Sequence, residues 1–193
     1  DILVVGHSKG ATYVPLLVHE EEVIRGGVML AGPTLSIVES LGGQLDDLAD
    51  WLATNDPGNP AIETLRAEAD ATREALESII AGTYPDTHYL GGTVDYWLDW
   101  IAFQDAFPTA LAQVAEPIAA HFGSLDFNVG PRHREQLEAW IAAGTVEAEI
   151  HDYADLTHAF VYLNDEPPGH TTEFASASVD DLVSWAIDNS PSP

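Results

Sequence analysis

Ile2-Leu3-Val4-Val5-Gly6-His7-Ser8-Lys9-Gly10 carries an apolar run straight into Gly-x-Ser-x-Gly, and helix-compatible sequence follows at once. This is the context of a nucleophile elbow: a strand, a very tight turn with serine at its apex, and a departing helix. The reading requires glycine at both flanks, Gly6 and Gly10, because strand and helix backbones pass too close for a Cβ. It sets the Ser8 hydroxyl above the sheet and aims the Lys9 backbone N–H, at the helix start, to where an oxyanion would form. The plainer alternative is a strand-to-helix turn with a solvated serine.

The totals bound the rest. A chain of 193 residues with 46% apolar content builds one domain with a sizeable core. No apolar run approaches the roughly 18 residues of a membrane span. Asp1 leads almost directly into the first strand, which reads as a processed chain or one missing its beginning. Six basic residues face 32 acidic ones, for a net charge of −26, and Lys9 is the single lysine. Binding to a phosphate backbone is thereby opposed, so no nucleic-acid partner is expected. The acids are dispersed, which suits a protein working in concentrated salt, in the cytoplasm or secreted by a high-salt organism. The alternative is an ordinary acidic protein. Without cysteine, disulfides and thiol chemistry are excluded.

Along the chain, residues 2–6 read as a strand buried on both faces, 9–19 as a short helix to which Pro15 is a mild objection, and 27–33 as a second buried strand. Two apolar strands joined by a helix imply a parallel crossover and the α/β class. Leucines at helical spacing over 34–83, broken by a turn at 55–60, predict two helices. Together with an aromatic stretch they suggest a cap inserted at 34–100 into a core made of 1–33 and 101–193. In that stretch Tyr96, Trp97 and Trp100 are candidate substrate contacts, Trp97 and Trp100 facing one surface; core packing is the alternative. A short helix is expected at 108–116, a strand at 118–123, a loop at 124–129 and an amphipathic helix over 131–143. A strand at 146–153 follows, then a last helix over 179–187 with Leu182, Val183 and Ile187 on one side.

Ser8, Asp126 and His158 each lie just past a predicted strand, so one sheet edge can gather all three. Serine needs a base to remove its proton during attack, and His158 fits that role; Asp126 would fix its tautomer and stabilise the imidazolium. An oxyanion donor adds about 3–4 kcal/mol of transition-state stabilisation. Asp152 and Asp155 are rival acids, His170 and His133 rival bases. His7 adjoins the serine and is either structural or a substrate contact. No His-x-x-x-His spacing suggests a metal site.

With these pieces in hand the chain resembles the carboxyl-terminal two-thirds of an α/β-hydrolase, and more narrowly the EstD-like carboxylesterases. The resemblance rests on Gly6-His7-Ser8-Lys9-Gly10, Val28-Met29-Leu30-Ala31-Gly32-Pro33, Tyr96-Trp97-Leu98-Asp99-Trp100, Gly123-Ser124-Leu125-Asp126, Leu156-Thr157-His158-Ala159-Phe160 and Pro168-Gly169-His170. It implies an α/β-hydrolase fold with a helical cap, truncated at its N-terminus, and hydrolysis of a small-molecule ester through an acyl-enzyme without a cofactor. It carries nucleophile to Ser8, acid to Asp126, base to His158 and one oxyanion donor to the Lys9 backbone. Two departures stand out: the strands that precede the elbow in relatives are absent, and Lys9 occupies a position usually apolar. The competing expectation is a catalytically incomplete hydrolase-fold module that acts by binding or assembly. Oligomeric state is not legible.

Overall fold

The computed structural model describes residues 2–161 and 175–189. Four strands form an all-parallel sheet: β1 (Ile2–His7), β2 (Ile24–Leu30), β5 (Ile118–Gly123) and β6 (Glu149–Tyr153), in the order β1-β2-β5-β6. Between β1 and β2 run a 3-10 helical turn (Ser8–Tyr13) and α1 (Val14–Glu20). Helices α5 (Pro131–Ala142) and α6 (Ser176–Asp188) precede and follow β6.

The chain divides into two compact units, one holding residues up to Thr34 and from Phe107 onward, the other Leu35–Ala106. In the first, alternation along the strands separates two clusters. Val28 and Ala119 pack with Leu182 and Trp185 of α6. Met29, Ala120 and Phe122 join Val14, Val18, Phe107, Leu111 and Leu137 in the larger core. The sheet is thus apolar on both faces, as helix-covered parallel sheets are.

The second unit pairs α2 (Ile37–Asn55) with α3 (Ala61–Ile80), followed by a small hairpin, β3 (His88–Tyr89) and β4 (Gly92–Thr93), and the start of α4 (Val94–Ala112). Ser36 caps α2 by accepting from the Glu39 N–H at 3.2 Å. Arg73 pairs with Asp46, and Arg66 with Asp50 at 3.2 Å, linking α3 to α2. Ile37, Leu76, Ile79, Trp97 and Ile101 form the core of this unit.

Several expectations need correction. Among the described residues β1 pairs on one side only, with β2, and Ile2 and Val5 are about half exposed (54% and 46%). The segment after Ser8 starts as a 3-10 turn, and Pro15 sits in the first turn of α1, where its missing N–H has no intrahelical partner to lose. β2 begins and ends three residues earlier than expected, at Ile24 and Leu30. No separate helix covers 108–116: α4 continues through Pro108, giving up one intrahelical hydrogen bond. On α6, Leu182 packs inward with Trp185, while Val183 and Ile187 are exposed, since the indole takes the inward position. The expected loop around Pro168 and the tail at 190–193 lie outside the described residues.

Candidate active site

The carboxyl ends of β1, β5 and β6 each hand over to a loop bearing one of the three expected residues. At the end of β1 the backbone passes from extended His7 (φ −115°) to Ser8 at φ +54°. That left-handed conformation is costly for a residue with a Cβ, and it is the strain expected at an elbow apex. Gly6 makes the turn possible: a Cβ there would lie 2.4 Å from the Gly10 carbonyl oxygen. The symmetrical requirement at Gly10 does not hold, because a Cβ on Gly10 meets nothing within 4 Å. It is the backbone of Gly10, not its missing side chain, that presses on Gly6. Ser8 and Lys9 are both partly exposed, and Lys9 is the second residue of the 3-10 turn.

The acid loop follows β5. Gly123 lets the next loop pass, since a Cβ on it would sit 2.4 Å from the Leu156 carbonyl oxygen. The Leu125 N–H donates to that same oxygen at 2.9 Å, tying the two loops together. Asp126 is buried, and its Oδ1 accepts from the N–H groups of Asn128 and Val129, each at 2.8 Å. Both carboxylate oxygens also engage His158 Nδ1, Oδ1 at 3.0 Å and Oδ2 at 2.9 Å. A carboxylate so placed selects the Nδ1–H tautomer and leaves Nε2 as the basic nitrogen.

His158 sits after β6 between two left-handed residues, Asp155 (φ +62°) and Phe160 (φ +56°). The Phe160 N–H closes the loop on the Thr157 carbonyl at 2.9 Å, and the Thr157 N–H and hydroxyl both reach the Val161 carbonyl. His7 joins this arrangement: its Nε2 lies 2.7 Å from the His158 carbonyl oxygen, and the two rings are 4.8 Å apart. Ser8 Oγ makes no hydrogen bond to His158 among the described residues.

The rivals fall elsewhere. Asp152 is ion-paired to Arg134 at 2.6 Å and exposed, and Asp155 is exposed too. His133 is buried, its Nδ1 accepting from the Thr34 N–H at 2.9 Å while the Thr34 hydroxyl donates to its carbonyl at 2.6 Å. Burial, and then the charge of Arg132, hold the His133 imidazole down to about 4. His170 lies outside the described residues. Tyr96, Trp97 and Trp100 belong to the second unit, where Trp97 is buried, stacks on Trp100 at 5.3 Å and donates its indole N–H to the Tyr89 carbonyl at 2.7 Å. A cavity of about 370 Å³ opens beside the acid loop between Phe122, Val129, Pro131 and Tyr153, but neither Ser8 nor His158 lines it. Among the described residues no three His, Asp or Glu side chains are grouped to hold a metal ion, and no helix is long and apolar enough to cross a membrane.

Two contributors escape a linear reading. The N–H groups that steady Asp126 belong to a local Asx turn, which Asp126-Phe127-Asn128 could have signalled. The hold of His7 on the His158 loop has no local signal.

In fold, the chain is similar to a monoacylglycerol lipase from Paleococcus ferrophilus, with 15% identity, 97% of this chain and 68% of that one covered, and a TM-score of 0.54. It is also similar to an esterase domain from a Rhodothermus marinus protein, with 12% identity, 96% and 60% covered, and a TM-score of 0.52. A third likeness is to Est1E from Butyrivibrio proteoclasticus, with 12% identity, 98% and 61% covered, and a TM-score of 0.52. The chain thus spans between three-fifths and about two-thirds of these structures. No curated protein matches the sequence. The family match runs over residues 87–186, more than half of the 193, taking in Asp126 and His158 and beginning downstream of Ser8. With a parallel sheet flanked by helices and that match, the chain is an α/β-hydrolase and belongs to the dienelactone hydrolase family.

Proposed function

We propose that the chain is a salt-adapted serine hydrolase that cleaves carboxylic esters, with Ser8 as nucleophile, His158 as base and Asp126 as its orienting acid. The observation that carries this is the two-oxygen clasp of Asp126 on His158 Nδ1, at 2.9 and 3.0 Å, together with a serine at φ +54° at the end of β1. His158 Nε2 takes the Ser8 proton as Oγ attacks the ester carbonyl. The Lys9 backbone N–H donates to the oxyanion of the tetrahedral intermediate. Collapse expels the alkoxide, which leaves as alcohol with the proton from His158. Water then repeats the sequence on the acyl-Ser8 ester and releases the carboxylic acid. Narrower assignment to carboxylesterases of the EstD-like type is part of this proposal and rests on the sequence motifs.

A fluorophosphonate probe tests it. Applied to the chain and to Ser8→Ala in about 2 M KCl, it should label the first and leave the second unlabelled. p-Nitrophenyl acetate hydrolysis should fall with it, by three orders of magnitude or more. The absence of a Ser8–His158 hydrogen bond favours a second reading, a hydrolase-fold module that binds or assembles without turnover. Labelling and turnover absent from both proteins would leave only that one, and labelling and turnover equal in the two would remove Ser8 as the nucleophile.

A further inference from the structure

A base acting on a serine must be fixed in two respects: the rotation of its ring and the position of the backbone that carries it. Asp126 provides the first. The second is demanding here, because the loop from Ala154 to Val161 contains two residues in left-handed conformations, Asp155 and Phe160. Loops of this kind keep their shape only where surrounding contacts impose it. From the β5 side, Ser124 accepts from the Asp155 N–H at 2.9 Å, and the Leu125 N–H donates to the Leu156 carbonyl. From the β1 side, the contact with His158 itself comes from His7, 151 positions away in sequence, whose Nε2 stands 2.7 Å from the His158 carbonyl oxygen.

We infer that His7 is a positioning residue for His158, donating its Nε2–H to the His158 carbonyl and so fixing the base relative to the serine that follows His7 in the chain. The inference rests on the reading of His158 as the base. Three features support it. A carbonyl oxygen can only accept, so Nε2 carries the proton, and it does so in the neutral Nε2–H tautomer and in the imidazolium alike. The rings of His7 and His158 lie 4.8 Å apart with 45° between their planes, and buried Phe160 presents its ring edge-on to His7 at 6.4 Å. Finally, His7 and Ser8 share one peptide unit, so a displacement of the elbow carries the carbonyl anchor with it. Nucleophile and base then move together, and their separation is conserved where each loop alone could drift.

His7 is exposed, so replacing it opens no cavity in the core. The experiment compares wild type, His7→Phe and His7→Gln as the full chain in concentrated KCl. Phenylalanine keeps a ring and removes the donor; glutamine restores an N–H of similar reach. Misplacing a reacting group by about an ångström can cost a hundred-fold, so His7→Phe should slow fluorophosphonate labelling and kcat about 10- to 100-fold, with KM within about two-fold of wild type. His7→Gln should recover to within about five-fold of wild type, since it reforms a hydrogen bond of ordinary strength. The low-field proton NMR signal of His158 Nδ1–H should be sharp in wild type and His7→Gln and broadened in His7→Phe. Wild-type labelling rates with a sharp signal in His7→Phe would overturn the inference. So would His7→Gln as slow as His7→Phe. Failure of the hydrolase reading looks different: wild type and Ser8→Ala behave alike toward the probe. The Nδ1–H signal then still decides whether His7 holds His158.

Discussion

His121 is fully buried on β5, with its Nδ1 2.8 Å from the Tyr153 hydroxyl, which in turn donates to Asp181 at 3.0 Å. The hydroxyl proton is directed at Asp181, so His121 is the Nδ1–H tautomer, and its Nε2 has no partner among the described residues. Protonation would bury a cation and add an unmatched N–H. Burial, and then the stacked His151, accordingly hold His121 down to about 4, against 6.5 in an unfolded chain. Tyr153 is pushed up by burial and by Asp181, and it stays a donor. Between pH 6.5 and 4 the unfolded chain binds more protons than the folded one at His121 and at His133, so stability falls as pH falls through that window. Each group contributes up to about 3 kcal/mol of loss. Urea midpoints measured in concentrated KCl should drop steadily from pH 6.5 to 4, and His121→Phe should remove part of that slope. An unchanged slope would mean His121 protonates without penalty. At this scale the contact between Asp126 and His158 was legible because each follows a strand end, where ligands of α/β sheets collect. His7 was not, since its partner is a backbone carbonyl on a loop whose shape depends on two left-handed residues.

The turn from β1 into the 3-10 segment depends on one glycine. Gly6→Ala would put a methyl 2.4 Å from the Gly10 carbonyl oxygen and 2.7 Å from a methyl of Val14, so strand and turn must separate. A loss of about 2 kcal/mol or more is expected, together with loss of probe labelling, because the elbow itself is displaced. Gly10→Ala meets nothing and should stay within about 0.5 kcal/mol of wild type. Thermal unfolding of both variants checks the contrast, and equal Tm shifts would refute it. Strands and helices at clear periodicities could be read from sequence: β5, α2, α3 and α5 stand within a few residues of expectation. Where neighbours decide, the sequence was mute. An apolar run such as Ile2–Val5 reads the same at the edge of a sheet as at its centre, and the facing of α6 follows from Trp185 and Asp181 reaching the sheet. Pro108 looked like a boundary because its cost is local, whereas Phe107 and Leu111, on either side of it, are both buried in the core.

Across the molecule, 32 acids and six basic residues leave a field that no local pairing cancels. Of the basic residues, Arg66 and Arg73 join α3 to α2, and Arg134 joins α5 to β6 through Asp152 while also meeting Glu138 at 2.7 Å. At about 10 mM salt the screening length is about 30 Å, so most of the acids repel one another; near 1 M it is about 3 Å. We propose salt adaptation on this ground. Far-UV circular dichroism should show unfolding in dilute buffer and recovery in molar KCl. A fully folded chain at ~10 mM would reduce the acidity to an incidental trait. The two-unit division has its trace in sequence as paired helices interrupting the strands. The same scarcity of basic residues gives the single lysine a chemical meaning. Lys9 follows Ser8 as the second residue of the 3-10 turn. Its ε-amine is therefore the only side-chain amine in the chain, and a reagent that acylates lysines has one side-chain target, a single residue from the proposed nucleophile. A fluorophore coupled there would sense the surroundings of the Ser8 turn, without any engineered attachment point.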